Sequence, residues 1–182
     1  VQPLEATTES LRQYLELRSR VDEKFTEIQT AYSSEMVCRA GCHSCCKPGL
    51  TVSELEAAAI TDFLNRSPES LARAKAADSE NPHKGKRCSF LDGSGSCTIY
   101  EARPVVCRSH GVPLQVSVKE DQKVRDVCPL NFKTSALSEL PTNFVMNLDT
   151  VNVLLSLLNR RAFGKSMKRI PLRIDSLLPQ RS

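Results

Sequence analysis

No stretch of the 182-residue sequence approaches the roughly 20 consecutive apolar residues that a bilayer-spanning helix needs, so no membrane partner is expected. The opening Val1-Gln2-Pro3-Leu4-Glu5 has neither the basic nor the apolar region of a signal peptide, which reads as a soluble chain. It also lacks an initiator methionine, and that leaves room for a removed organelle-targeting peptide. Glycine is sparse, with 7 residues. None builds a turn closing in Gly-Lys-Ser/Thr before a helix, and none follows a parallel strand, so no nucleotide cofactor is expected. There is no internal repeat and no low-complexity tract. With 40% hydrophobic and 25% charged residues, the composition suits one compact domain with extended termini.

What the chain does have is cysteine. Cys38, Cys42, Cys45 and Cys46 fall within nine residues, and Cys88, Cys97, Cys107 and Cys128 follow. Thiolates are soft ligands suited to zinc, copper(I) or iron–sulfur clusters, and distant cysteines added to a local group let a site pin several loops together. Eight is also an even number that permits four disulfides. Disulfide frameworks, however, staple small secreted domains with poor cores, whereas this chain carries long amphipathic segments able to bury their own. All eight cysteines are therefore candidate metal ligands, and the expected compartment is reducing, that is, cytoplasmic.

Tyr14, Leu17, Val21, Phe25, Ile28 and Tyr32 recur every three or four residues and predict an amphipathic helix over 8–32. Ser53-Glu54-Leu55-Glu56 is a capping box opening a second helix, and Ser67-Pro68 starts a third. The first cysteine group thus falls in an interhelical loop. Asp92-Gly93-Ser94-Gly95 reads as a turn between short extended pieces ending near Cys97. Residues 112–118 and 123–127 predict a small hairpin, weakened by Pro113 in its first strand. A last helix is expected over 142–164, capped by Thr142, with Phe144, Leu148, Val151, Leu155 and Leu158 as its stripe and Gly164 as its stop. After it, residues 160–182 hold seven basic residues against Asp175, a local charge of +6 in a chain of net +4. That basic tail suggests an acidic protein or RNA as partner.

The expected fold class is mainly α with a small β-hairpin, a helical domain organised around a cysteine-ligated metal centre. Its parts are an N-terminal amphipathic helix (1–37), a cysteine-cluster core (38–129), a C-terminal helix (142–164) and the basic tail (165–182). A Cys-x3-Cys-x2-Cys run can place three thiolates on three irons of a cubane, and Cys128-Pro129 supplies a Cys-Pro ending used at iron–sulfur ligands. Only Cys42 and Cys45 have the Cys-x2-Cys spacing of a zinc grip. An iron–sulfur cluster of the [4Fe–4S] type is favoured over zinc (Zn2+), which stays open. Neighbouring Cys45 and Cys46 should diverge in either strand or helix and serve different metal atoms or sites. Cations beside cysteines, at Arg39, Lys47, Arg87, Arg103 and Arg108, would offset thiolate charge. Arg103 is expected to anchor its Arg-Pro turn on a carboxylate or carbonyl. Tyr100 is expected to pack on the cluster loop and donate its hydroxyl to the backbone. His43 and His110 are lesser ligand candidates, and His83 is expected to be solvated.

Cys97-Thr98-Ile99-Tyr100-Glu101-Ala102-Arg103-Pro104-Val105-Val106-Cys107-Arg108 carries a resemblance. Together with the first cysteine group, Cys88 and the final Cys128-Pro129, it resembles the YkgJ-type cysteine-cluster family, described as a zinc- or iron-chelating domain and related to flagellin lysine N-methylase proteins. The resemblance spans 38–129 and implies a metal-binding core. No catalytic residue is assigned. The expected function is a metal-binding structural, interaction or redox module, with a metal-dependent enzyme or a methylation-related accessory factor as the alternative.

Overall fold

The computed structural model describes residues 6–39, 41–80, 85–119, 122–166 and 168–178. It is mainly α-helical with a few short strands, and among the described residues no helix is long and apolar enough to cross a membrane. The chain divides into two compact units: Val1–Tyr14, Ala40–Pro104 and Leu158–Ser182 form the first, and Leu15–Arg39 and Val105–Leu157 the second. The boundary falls inside helix α1 (Thr8–Ala31) and inside helix α5 (Leu148–Phe163).

In the first unit, strand β1 (Thr51–Ser53) runs directly into helix α2 (Glu54–Arg66). The capping box forms as its sequence requires: Ser53 Oγ accepts from the Glu56 N–H, and the Glu56 carboxylate accepts from the Ser53 N–H at 2.9 Å. A further unsatisfied N–H of the first turn, that of Leu55, donates to Asn159 Oδ1 at 2.9 Å. Helix α3 (Pro68–Ser79) follows, with the Ser67 side chain as its cap. Leu55, Ile60 and Leu64 are fully buried.

The basic segment is part of this unit's fold. Strand β5 (Arg169–Pro171) pairs antiparallel with β1, placing Val52 opposite Ile170. The short helix α6 (Ile174–Leu177) accepts from the Thr61 hydroxyl at the Leu177 carbonyl, 3.1 Å away. Ile170, Leu172 and Leu177 are buried, so alternate apolar residues anchor a segment whose arginines stay outside. The last residues of the tail, with Pro179 and Arg181, lie outside the described residues, as does His83.

In the second unit, Leu17, Val21 and Ile28 bury the stripe expected of α1, while Phe25 and Tyr32 are half-buried. Tyr32 meets Phe132 and Phe144 with both ring centroids at 5.3 Å. Helix α4 (Val105–Ser109) precedes a hairpin of β2 (Leu114–Lys119) and β3 (Gln122–Asp126). Strand β2 starts after Pro113, whose ring nitrogen has no hydrogen to donate to a ladder. The final helix begins later than expected. Thr142–Phe144 is a separate 3-10 turn, and β4 (Met146–Asn147) adds in parallel to β2 through Met146 N–H donating to the Pro113 carbonyl at 2.8 Å. Thr142 therefore caps nothing in α5, and Asn147 Oδ1 accepts from the Thr150 N–H instead. Gly164, at φ 69°, follows its last residue.

Candidate metal centre

None of the eight cysteines, all of them among the described residues, takes part in a disulfide. Cys42, Cys45, Cys46, Cys88 and Cys97 belong to the first unit, and Cys38, Cys107 and Cys128 to the second.

The loop before β1 turns tightly: Cys46 N–H donates to the His43 carbonyl at 2.9 Å and Lys47 N–H to the Cys45 carbonyl at 2.8 Å. This turn is neither strand nor helix, and the Cys46 side chain stands near enough to Cys45 to raise its titration point. Cys88 N–H then donates to the Cys46 carbonyl at 3.1 Å, joining the second cysteine segment to the first. Beyond Cys88, Phe90 is fully buried and its carbonyl accepts from Thr98 N–H at 2.8 Å. Leu91 and Cys97 form an antiparallel bridge around the expected turn, where Asp92 Oδ1 accepts from the N–H groups of Ser94 and Ser96. The hydrogen bonds from Ser94 and Ser96, with Arg73 nearby, hold the Asp92 carboxyl below its ordinary range.

Four thiols thereby form an electrostatic chain. The hydrogen bond with Cys46 raises the Cys45 titration point most, burial adds to it, and the Cys46 charge follows. Burial pushes Cys88 up, and the charge of Cys45 adds to that. Burial does the same to Cys97, with the charges of Cys88 and Asp92 behind it. Arg103 opposes the rise at Cys45 and Cys97. Crowded, partly buried thiolates repel one another, and a cation relieves that repulsion.

Arg103 anchors its turn on a carbonyl, donating from Nε to the Tyr100 oxygen at 3.3 Å. Its guanidinium stacks over the Tyr100 ring, 3.8 Å from the centroid. Tyr100 is 59% exposed, so it is not packed under a cluster loop as expected. His43 packs edge-on against Gly95, where an added Cβ would stand 2.4 Å from Cδ2, and φ there is +81°. The imidazole thus lies against the turn between Cys88 and Cys97. Arg108 is buried and pairs with Asp22, so its charge goes to a carboxylate on α1.

In the second unit, Cys128 is buried, Cys107 lies on α4, and Cys38 accepts at Sγ from Asn131 Nδ2 at 3.2 Å. His110 is exposed. Asn131 escaped the sequence reading. The signal available was the Cys128-Pro129-Leu130-Asn131 spacing, a turn with proline at its second position whose Asn131 N–H donates to the Cys128 carbonyl at 2.8 Å.

The donor chemistry, soft sulfur throughout, fits zinc or iron. The expected convergence is not formed: among the described residues no group of three or more His, Cys, Asp or Glu side chains lies close enough to hold a metal ion.

A family model, CxxCxxCC, described as "Putative zinc- or iron-chelating domain", matches residues 37–129. No curated protein and no solved structure matches the chain.

Proposed function

The chain belongs to the CxxCxxCC family, and from that premise we propose that it is a metal-binding module in which thiolates of the first unit hold zinc or an iron–sulfur cluster. The observation that carries this reading is geometric: Cys45, Cys46, Cys88 and Cys97 lie in one unit, where the Cys88 N–H to Cys46 carbonyl bond at 3.1 Å joins the two cysteine segments. Cys42, exposed in the same loop, is the added ligand of that set, and Cys38, Cys107 and Cys128 are the candidate ligands of the second unit taken by itself.

A bound metal would supply either a structural tie between loops or, as a cluster, a one-electron redox centre. The residues around it have separate tasks. Arg103 offsets thiolate charge, His43 lies against the turn between Cys88 and Cys97, and the Cys88-to-Cys46 backbone bond aligns the two cysteine segments. Thiolate ligands of both kinds favour an electron-transfer or scaffolding role over substrate activation, which needs an open coordination position. The likeness to YkgJ-type and flagellin lysine N-methylase proteins extends the proposal to an accessory role in protein modification. The exposed Arg160, Arg161, Lys165 and Lys168 extend it to an acidic partner.

Elemental analysis with a visible spectrum on anaerobically purified protein tests the reading. Iron with sulfide and a chromophore bleached by dithionite assigns the redox module. Stoichiometric colourless zinc assigns the structural one. Protein that carries no metal and takes up neither from solution refutes both.

A further inference from the structure

Asn131 lies two residues past the segment matched by the family model, is 2% exposed, and spends its whole carboxamide inside the second unit. Oδ1 accepts from the Val37 N–H at 2.9 Å; Nδ2 donates to the Gly111 carbonyl at 2.6 Å and to Cys38 Sγ at 3.2 Å. Those two backbone partners fix which end of the amide is which, because turning it over would set oxygen against oxygen and N–H against N–H. The sulfur therefore faces a donor.

A neutral thiol is a weak acceptor, and a buried N–H spent on one is poorly satisfied. A thiolate bound to a metal accepts such a bond well, and donors of this kind orient ligands and tune the metal. Cys38 is hemmed in from other sides too. An added Cβ at Gly111, φ +116°, would stand 2.8 Å from Cys38 Sγ, and Gln29 Nε2 donates to the Cys38 carbonyl at 3.4 Å. The turn from Cys128 delivers Asn131 to this point, so one side chain links the neighbourhoods of two cysteines.

We propose that Asn131 is a positioning residue that donates a carboxamide N–H to the Cys38 thiolate and sets its orientation and donor strength toward the metal. The proposal rests on the reading that Cys38 is a metal ligand.

The full chain loaded with cadmium-113 tests both statements. Scalar coupling from cadmium to the Cys38 β-protons reports ligation, and coupling to the Asn131 carboxamide protons, carried across the sulfur, reports the N–H···S bond. Both are expected. In Asn131→Asp, which keeps the acceptor for Val37 and removes both donors, the cadmium resonance should move and release to a chelator should quicken about 10- to 100-fold. Coupling to Cys38 without coupling to Asn131, with unchanged release, overturns the positioning role and leaves the metal reading standing. Absence of coupling to Cys38 removes Cys38 from the ligand set and the proposal with it. A purely structural Asn131 would lower the melting temperature of the variant and leave the cadmium resonance in place. Should the variant fail to fold, the carboxamide coupling in the unmodified protein decides alone.

Discussion

The Cys88 N–H donates to the Cys46 carbonyl at 3.1 Å, so the two cysteine segments of the first unit are joined through backbone before any sulfur takes part. Ligand loss and fold loss are separable on that account. Cys88→Ser and Cys45→Ser should each remove at least one metal equivalent, because both thiols belong to the linked set. The chelated forms should melt within a degree or two of chelated unmodified protein. Full metal content in both variants, measured by elemental analysis, would remove these thiols from the site.

Asn159 is 4% exposed and accepts the Leu55 N–H from the first turn of α2. That N–H has no partner within its own helix. Asn159→Ala should cost about 1–3 kcal/mol, the penalty of an unsatisfied buried donor, read as a lower urea midpoint at unchanged slope. A midpoint equal to that of the unmodified protein would mean that water replaces the amide.

Local chemistry was legible in the sequence and long-range pairing was not. The capping box at Ser53 and Glu56, the proline start at Pro68 and the stop at Gly164 are each written in adjacent residues, and all three are in place. The start of α5 was misplaced because β4 exists only by pairing with β2, a partner that periodicity does not see. The pairing of β5 with β1 was hidden likewise, since its charges dominate the composition while only Ile170 and Leu172 mark its buried side. At the candidate site, residue type named the thiols. The placement of Cys45 and Cys46 depends on a turn from His43 to Lys47, and the Cys38 contact on a distant amide, so neither could be read from spacing.

Glu35 gathers the stretch after Cys128: its carboxylate accepts from the Thr134 hydroxyl, from Ser135 Oγ at 2.8 Å and from the Thr134 N–H at 3.4 Å. The Thr134 hydroxyl bond, then that of Ser135, holds its titration point below the ordinary carboxyl range. A lowered folded value means that the stabilisation is fully present above the unfolded pKa, about 4.3, and is lost as pH falls through the folded value. The stability gap between unmodified protein and Glu35→Gln should therefore be constant from pH 7 down to about pH 5 and close below it. A gap that persists at pH 2.5 in urea titrations would assign the effect to shape rather than charge.

Arg169 donates to the Thr51 carbonyl and to Thr51 Oγ1 at 3.3 Å, and Arg173 pairs with Asp175, so these two cations are committed to the fold of the first unit. Arg160, Arg161, Lys165 and Lys168 are exposed and carry the charge open to a partner. With single-stranded RNA of mixed sequence as the probe, replacing those four by glutamine should weaken binding and flatten the logarithmic salt slope by up to about 2.8, at roughly 0.7 per contacted phosphate. Phe163 is the one aromatic residue nearby, so binding should tolerate changes of base sequence. Metal content should not change, since no thiol is touched. Equal affinity and equal slope in the variant would show that these charges serve solvation, and binding of the unmodified chain to an acidic protein surface but not to RNA would move the partner to the other class.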